Sequence, residues 1–424
     1  MENVMVRRVF LVFLVVAAAG ARPLVAQQNR IDTVTQLAPE FAAYGKYDIG
    51  VRTITATDKN RPDIVNTKDG SPTVMYDRTL TLEVWYPARL AATQKPGGEY
   101  HTIAREPSIA VTLHGKAVRD AAPLTTEGAF PLVIISHGYP GNRFLMSHLG
   151  ENLASKGFVT VSIDHKDSTY DDQKAFGSTL YNRSFDQLFV LREIARLGQS
   201  GAGSFLTGLV DANRTGIVGY SMGGYGVVNV VGGGYTAASA TQNQAPPNKL
   251  LEARVATNPD YSKSMDPRIK AAIAVAPWGM QGGFWDAEGL KGIKTPVLFV
   301  AGSVDSVAGY ERGTRAIYQG AVNADRYLLT FINASHNAGA PIPAPIETYG
   351  SSAFTHYADA VWDNARMNNI LDHFATVYFD LYLKGDQEKK TYLDLVPEPK
   401  DAAWKGFRPR AAVGLMLEHS EPGK

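Results

Sequence analysis

The sequence predicts an α/β fold, a mostly parallel, doubly wound sheet with an antiparallel leading edge and no large cap domain. Three observations predict it. Short, continuous apolar runs recur at 131–136, 158–163, 215–219, 271–276, 296–301 and 327–332, the pattern of strands buried on both faces. Helix-compatible stretches separate most of these runs, and strand–helix–strand units in one sheet make parallel crossovers. Ahead of them, residues 47–57 and 79–87 alternate β-branched and aromatic with polar residues, as half-buried antiparallel strands do.

In chain order, Arg7 and Arg8 precede an apolar run at 9–19, and small residues follow. This is the layout of a secretory signal peptide over residues 1–26. Cleavage is expected after Ala21, where Ala19-Gly20-Ala21 fits the A-x-A pattern, or after Ala26. The run is too short to span a bilayer and no other stretch approaches that length, so a secreted or periplasmic protein without a stable membrane anchor is expected. Residues 27–424 read as a single domain with its core at about 131–384. The segment 58–71 is polar and turn-rich. Phe185, Leu188, Phe189, Ile194 and Leu197 recur at helical spacing, as do Met367, Ile370, Leu371, Phe374, Tyr378 and Phe379. Stretches 233–266 and 337–361 lack periodicity and read as functional rims or insertions. Beyond Lys384 the tail is polar, but Trp404, Phe407 and residues 415–417 predict that part of it packs back.

Composition narrows the function. The 424 residues are 45% hydrophobic and 20% charged, enough to bury a sizeable core. Lys plus Arg number 42 against 41 Asp plus Glu, so no field for nucleic acid is expected. Cysteine is absent, which excludes disulfides, a cysteine nucleophile and thiolate metal sites. No Gly-rich phosphate loop and no HExxH helix occurs, and neither cofactor nor metal is expected. Asp164, Asp167, Asp171 and Asp172 cluster after one buried run, but without the glycine-punctuated spacing of a calcium loop.

The chemistry lies where the buried runs end. Gly219-Tyr220-Ser221-Met222-Gly223-Gly224 directly follows one apolar run and precedes a helix-compatible stretch. A nucleophile elbow needs that strand, strained turn and helix, with glycines where strand and helix approach too closely for side chains. A serine hydroxyl needs a base, and the base an orienting carboxylate, which in this architecture follow in the order Ser, Asp, His. Asp305 falls just past the run at 296–301 and His336 just past the run at 327–332, so both should emerge at the same carboxyl edge as Ser221. The rivals are Asp286 as acid, and His356 and His373 as bases. For the oxyanion, the expected donors are the backbone N–H groups of Met222 and Tyr139, the latter in Ser136-His137-Gly138-Tyr139-Pro140-Gly141-Asn142. His137 in that loop reads as structural. Trp278 follows another buried run at the same edge, where it fits a substrate wall or plain core packing. The segment 279–295 is too short for a helical cap, which predicts an open cleft unless 233–266 or 337–361 folds over it.

Residues from about 131 to 384 resemble the α/β-hydrolase superfamily. Ser136-His137-Gly138-Tyr139-Pro140-Gly141-Asn142-Arg143, Leu153-Ala154-Ser155-Lys156-Gly157-Phe158 and Asp164-His165-Lys166-Asp167 are similar to dienelactone hydrolase-like and platelet-activating-factor acetylhydrolase-like proteins. Tyr139, Ser221-Met222-Gly223-Gly224, Ala276-Pro277-Trp278 and Ala334-Ser335-His336 resemble bacterial cutinases and related polyester hydrolases. The resemblance implies that Tyr139 and Met222 supply the oxyanion amides and that Trp278 flanks the substrate, here a small or polymeric ester. The expected activity is serine-dependent cleavage of carboxylic esters through an acyl-enzyme. Polyester or lipid hydrolysis, acyl transfer and a non-catalytic binding protein on the same fold are the alternatives.

Overall fold

The computed structural model describes residues 29–399 and 404–424. The expected signal peptide over 1–26 and its cleavage sites lie outside the described residues.

The leading hairpin, β1 (Asp48–Pro62) and β2 (Met75–Arg89), pairs antiparallel from Asp48 opposite Ala88 to Pro62 opposite Met75. It is longer than its apolar alternation suggests, and part of the 58–71 segment is strand. Cross-strand polar pairs carry that extension, such as Lys59 Nζ to Asp77 Oδ2 at 2.6 Å, and polar strand reads as turn by composition. The next two strands, β3 (Gly98–Ile103) and β4 (Ala110–Gly115), have no counterpart among the predicted elements. With a two-residue strand at Asn29–Arg30 they form a separate three-stranded sheet. Its Tyr100, Val111 and Leu113 join the main core beside Trp85, Phe144 and Leu149.

Then come β5 (Phe130–Ser136), α1 (Ser147–Ala154), β6 (Val159–Asp164), α2 (Phe176–Gly198), β7 (Val210–Tyr220) and α3 (Met222–Val230). They are followed by β8 (Ile269–Val275), β9 (Val297–Gly302), β10 (Arg326–Phe331), α4 (Asn364–Lys384) and β11 (Leu415–Ser420). The main sheet runs β11-β10-β9-β8-β7-β5-β6-β2-β1. From β10 to β6 the pairing is parallel throughout, as predicted, while β2 and β1 form the antiparallel edge. Every residue of β5, β9 and β10 is buried, which explains why they are mostly apolar, with Ser136, Arg326 and Thr330 as the polar exceptions.

One face of the sheet packs against α1 and α4, through Leu149, Leu153, Phe374 and Phe379; the other packs against α2 and α3, through Leu188, Val190, Tyr225 and Val228. α4 begins where the Asp363 side chain accepts the Arg366 N–H at 2.8 Å and ends at Gly385, whose φ of 74° is left-handed. The tail does pack back: Trp404 and Phe407 stack around Phe374 and His373. Its last strand, β11, then pairs antiparallel along the outer side of β10. Among the described residues no helix is long and apolar enough to cross a membrane.

Candidate active site

Ser221 sits between β7 and α3 with φ 53° and ψ −113°, a backbone conformation that side chains other than glycine rarely adopt. Its strain is fixed from three sides. The Ser221 N–H donates to Val275 O at 2.9 Å, while its carbonyl accepts from Tyr225 N at 2.9 Å and Trp278 N at 3.2 Å. The flanking glycines are required by space: a Cβ on Gly219 would collide with the Gly223 carbonyl, and one on Gly223 with the Ser136 carbonyl. The elbow therefore projects the Ser221 hydroxyl over the carboxyl ends of the parallel strands.

At that edge the Ser221 hydroxyl donates to His336 Nε2 at 2.9 Å, and His336 Nδ1–H donates to Asp305 Oδ2 at 2.9 Å. Asp305 Oδ1 accepts the Val307 and Ala308 N–H groups at 2.8 and 3.0 Å. Burial disfavours the Asp305 charge, but the His336 hydrogen bond and charge and those two amides outweigh it and hold the carboxyl below its ordinary range. The Tyr220 ring packs against His336, 5.2 Å between centroids, and its hydroxyl donates to Asn337 Oδ1 at 3.0 Å. The turn carrying His336 is tied down by Asp359, whose Oδ2 accepts the Ser335 N–H at 2.7 Å and hydroxyl at 2.6 Å.

The loop bearing Tyr139 is held from beneath by buried polar groups, of which sequence reasoning found His137 and missed His165, Arg183 and Asp186. His137, buried as expected of a structural residue, donates Nδ1–H to the Gly138 carbonyl at 2.7 Å and accepts the His165 N–H at Nε2, 3.2 Å. Burial first, then the Arg183 charge, hold His137 well below the imidazole range. The same two causes push His165 down to about 3. His165 accepts the Ser136 hydroxyl at 2.8 Å and donates to Asp186 Oδ2 at 3.0 Å. Asp186 in turn takes a bidentate pair from Arg78, at 2.8 and 2.9 Å. Arg183 lies in α2 with no carboxylate partner among the described residues. Its guanidinium donates to the His137 carbonyl at 2.8 Å, to the Gly138 carbonyl at 3.4 Å and to the Ser168 hydroxyl. The Gly138 carbonyl belongs to the same peptide group as the Tyr139 N–H, so donors on the oxygen polarise that amide. No acceptor among the described residues takes the Tyr139 or Met222 N–H. Nothing in the sequence singled out Arg183, one of several polar and charged residues in α2.

A cleft of about 960 Å³ opens over Ser221 and His336, with Tyr139, Val307, Arg105 and His356 among its lining. The 337–361 stretch thus builds one wall, and the β3–β4 turn of the small sheet contributes another that the sequence did not announce. The 233–266 stretch instead ties itself to the leading hairpin, with Asn248 bonded to Asp69 and Ser71. Between 279 and 295 the chain forms only single turns, so no cap covers the cleft from there. Trp278 is half-buried against Phe176, 5.4 Å between centroids, and Phe176 against Tyr139 at 5.2 Å, so it backs the loop bearing Tyr139. Asp286 caps a short helix through the Gly289 N–H at 2.8 Å, away from His336. His373 is buried in α4 and accepts the Phe41 N–H. Of the acidic cluster, Asp164 pairs with Arg143 and Asp167 with Arg78.

A family profile described as PETase, PET hydrolase-like matches residues 94–259, a span that takes in Tyr139 and Ser221 and ends before Asp305 and His336. A bis(hydroxyethyl) terephthalate hydrolase of Streptomyces coelicolor is 26% identical over 62% of this chain and 68% of its own. Cutinase est1 of Thermobifida alba is 25% identical over 50% of this chain and 55% of its own, so the match spans about half of that relative. Among solved structures, a ferulic acid esterase from Streptomyces cinnamoneus superposes with a TM-score of 0.55 and 19% identity, over 85% of this chain and 94% of that one. The chain has an α/β-hydrolase fold, is similar over part of its length to PET hydrolase-like proteins, and is a serine hydrolase of carboxylic esters.

Proposed function

We propose that Ser221, His336 and Asp305 are the catalytic triad of this carboxylesterase and that the Tyr139 and Met222 amides form its oxyanion hole. The observation that carries the reading is the unbroken line of hydrogen bonds from Ser221 through His336 to Asp305, both links 2.9 Å, at the floor of an open cleft. Ser221 Oγ attacks the ester carbonyl carbon while His336 Nε2 takes the hydroxyl proton. The carbonyl oxygen becomes an oxyanion facing two amides that have no competing acceptor. Collapse breaks the bond to the alcohol oxygen, which receives the proton from His336 and leaves an acyl-Ser221. Water, deprotonated by His336, attacks the acyl carbon, and the acid departs as Ser221 regains its proton. Asp305 keeps Nδ1–H directed toward itself, so that Nε2 stays free to accept.

The chain acts, on this reading, as one catalytic domain over 27–424, exported by its signal peptide. Small esters fit the cleft. A polymeric ester surface is the second reading, favoured by Val304 and Val307, 56% and 53% exposed beside the Asp305 turn, and by the cutinase relatives. Trp278 is proposed to act on substrate through Phe176 and Tyr139. The test is a nitrophenyl ester series, acetate to long chain, on the wild type and Ser221→Ala side by side. Turnover that vanishes in the variant fixes the nucleophile. Turnover that survives in it removes the triad assignment. A polyester film and an added acceptor alcohol then separate polymer hydrolysis and acyl transfer from small-ester cleavage.

A further inference from the structure

Among the described residues, Arg105 is the one arginine or lysine lining the cleft above Ser221. It stands in the turn between β3 and β4, so the small sheet delivers it across 116 residues of sequence to the nucleophile. Among the described residues it has no carboxylate partner. Instead its Nη1 donates to His356 Nδ1 at 2.9 Å. An arginine cannot accept, so His356 Nδ1 carries no proton there, and its Nε2–H donates to the Tyr170 hydroxyl at 2.9 Å. Burial, with Arg105 and His336 adding their charges, pushes His356 down to about 3, in keeping with a neutral ring. Tyr170 is itself buried and takes a further hydrogen bond from the Tyr357 hydroxyl at 3.3 Å. The guanidinium is thus held by an uncharged relay that orients it without neutralising it.

The rest of the wall is weakly polar: Ser306, Ser335, Asn337, Ser352 and Thr355 offer hydroxyls and an amide. Glu106 is the cleft's one exposed carboxylate, and it accepts from the Ser108 hydroxyl at 3.3 Å in its own turn. A planar guanidinium with free N–H groups, fixed beside a reaction centre, matches a carboxylate in a way a hydroxyl-lined wall cannot.

We propose that Arg105, held by His356, is an anion-recognising subsite that makes the enzyme prefer esters bearing a free carboxylate, such as half-esters of dicarboxylic acids. The proposal rests on the carboxylesterase reading and names the substrate class of that same site. The half-ester's neutral end would occupy the position over Ser221, and its carboxylate would reach Arg105 without taking part in bond cleavage.

The test uses matched pairs: mono-4-nitrophenyl esters of dicarboxylic acids from glutarate to suberate, each beside its methyl-capped neutral counterpart, with nitrophenol release as readout. In the wild type, KM for the free carboxylate should fall roughly tenfold below that of the capped ester at one chain length, with kcat little changed. Arg105→Gln should erase that preference, bringing the two KM values of each pair together, and Arg105→Lys should restore only part of it. The preference should also shrink as salt rises. Equal KM values within every pair, or a preference that survives Arg105→Gln, would overturn the proposal. If the wild type cleaves neither member of any pair, the failure belongs to the underlying ester-hydrolase reading, since the capped esters do not need Arg105.

Discussion

The floor and the walls of the cleft are built by different means. The floor, Ser221 with Met222 and the strand ends beneath it, is held by local backbone geometry: a strand, a strained serine, and glycines whose hydrogens are all that fits. The walls are held by contacts between distant parts of the chain. Arg105 meets His356 across 251 residues, and Ser335 meets Asp359 across an irregular stretch. Local rules are easily read and tolerate no change; long-range ones are hidden and leave room for variation. On the proposed reading, the nucleophile thus sits in locally fixed backbone, and the lining of the cleft in contacts between distant segments.

Mutation can break that contrast or sharpen it. Ser221→Ala should cost the most, on the order of 10⁵ in kcat or more, with binding of a non-hydrolysable ester analogue retained. Asp305→Asn should follow at roughly 10³–10⁴, because the amide would turn His336 to the wrong tautomer. A stopped assay with thermal melting alongside separates lost chemistry from lost fold. Arg183→Gln sits on the boundary between floor and wall. If its charge polarises the Tyr139 amide, kcat should fall about tenfold to a hundredfold while KM stays put, and a boronic acid inhibitor should weaken in parallel. A fall in melting temperature without that parallel would make Arg183 a scaffold residue only.

A separate expected effect is the pH dependence of stability. His165 and His373 are buried and neutral, each pushed down to about 3 by burial first and then by nearby cations. In the unfolded chain they titrate near about 6.5. Between those values the unfolded state binds more protons, so their contribution is full above about 6.5 and is lost as pH falls toward 3. Each group's slope approaches about 1.4 kcal/mol per pH unit at most. Urea midpoints at descending pH should fall through this window, and less steeply in His373→Gln than in the wild type.

The sequence disclosed the floor well, for a physical reason. Gly219, Ser221, Gly223 and Gly224 each obey a requirement of the turn they occupy, and Asp305 and His336 each follow a buried apolar run by a few residues. Both kinds of signal lie within about ten residues. The small sheet was not legible, because β3 and β4 are short and mixed in polarity and are completed by Asn29 and Arg30 from far upstream. Arg183, His165 and Asp186 were equally silent. Arg183 and Asp186 stand among the other polar residues of α2, and only the fold shows that they are buried. β11 was half legible: Leu415 and Leu417 foretold burial, but their pairing along β10 depends on the partner.

That last strand has a bearing on solubility. An uncovered β10 would present a largely apolar strand with free N–H and C=O groups, a template for joining another molecule edge to edge. β11 occupies that edge and brings Glu418 into a bidentate pair with Arg315, at 2.8 and 3.0 Å, while His419 stacks on Tyr327. Charge now faces outward where an apolar ribbon would otherwise invite polymerisation. Removing residues 415–420 would leave Ser221, His336 and Asp305 in place and open the outer side of β10 to edge-to-edge pairing with a second molecule.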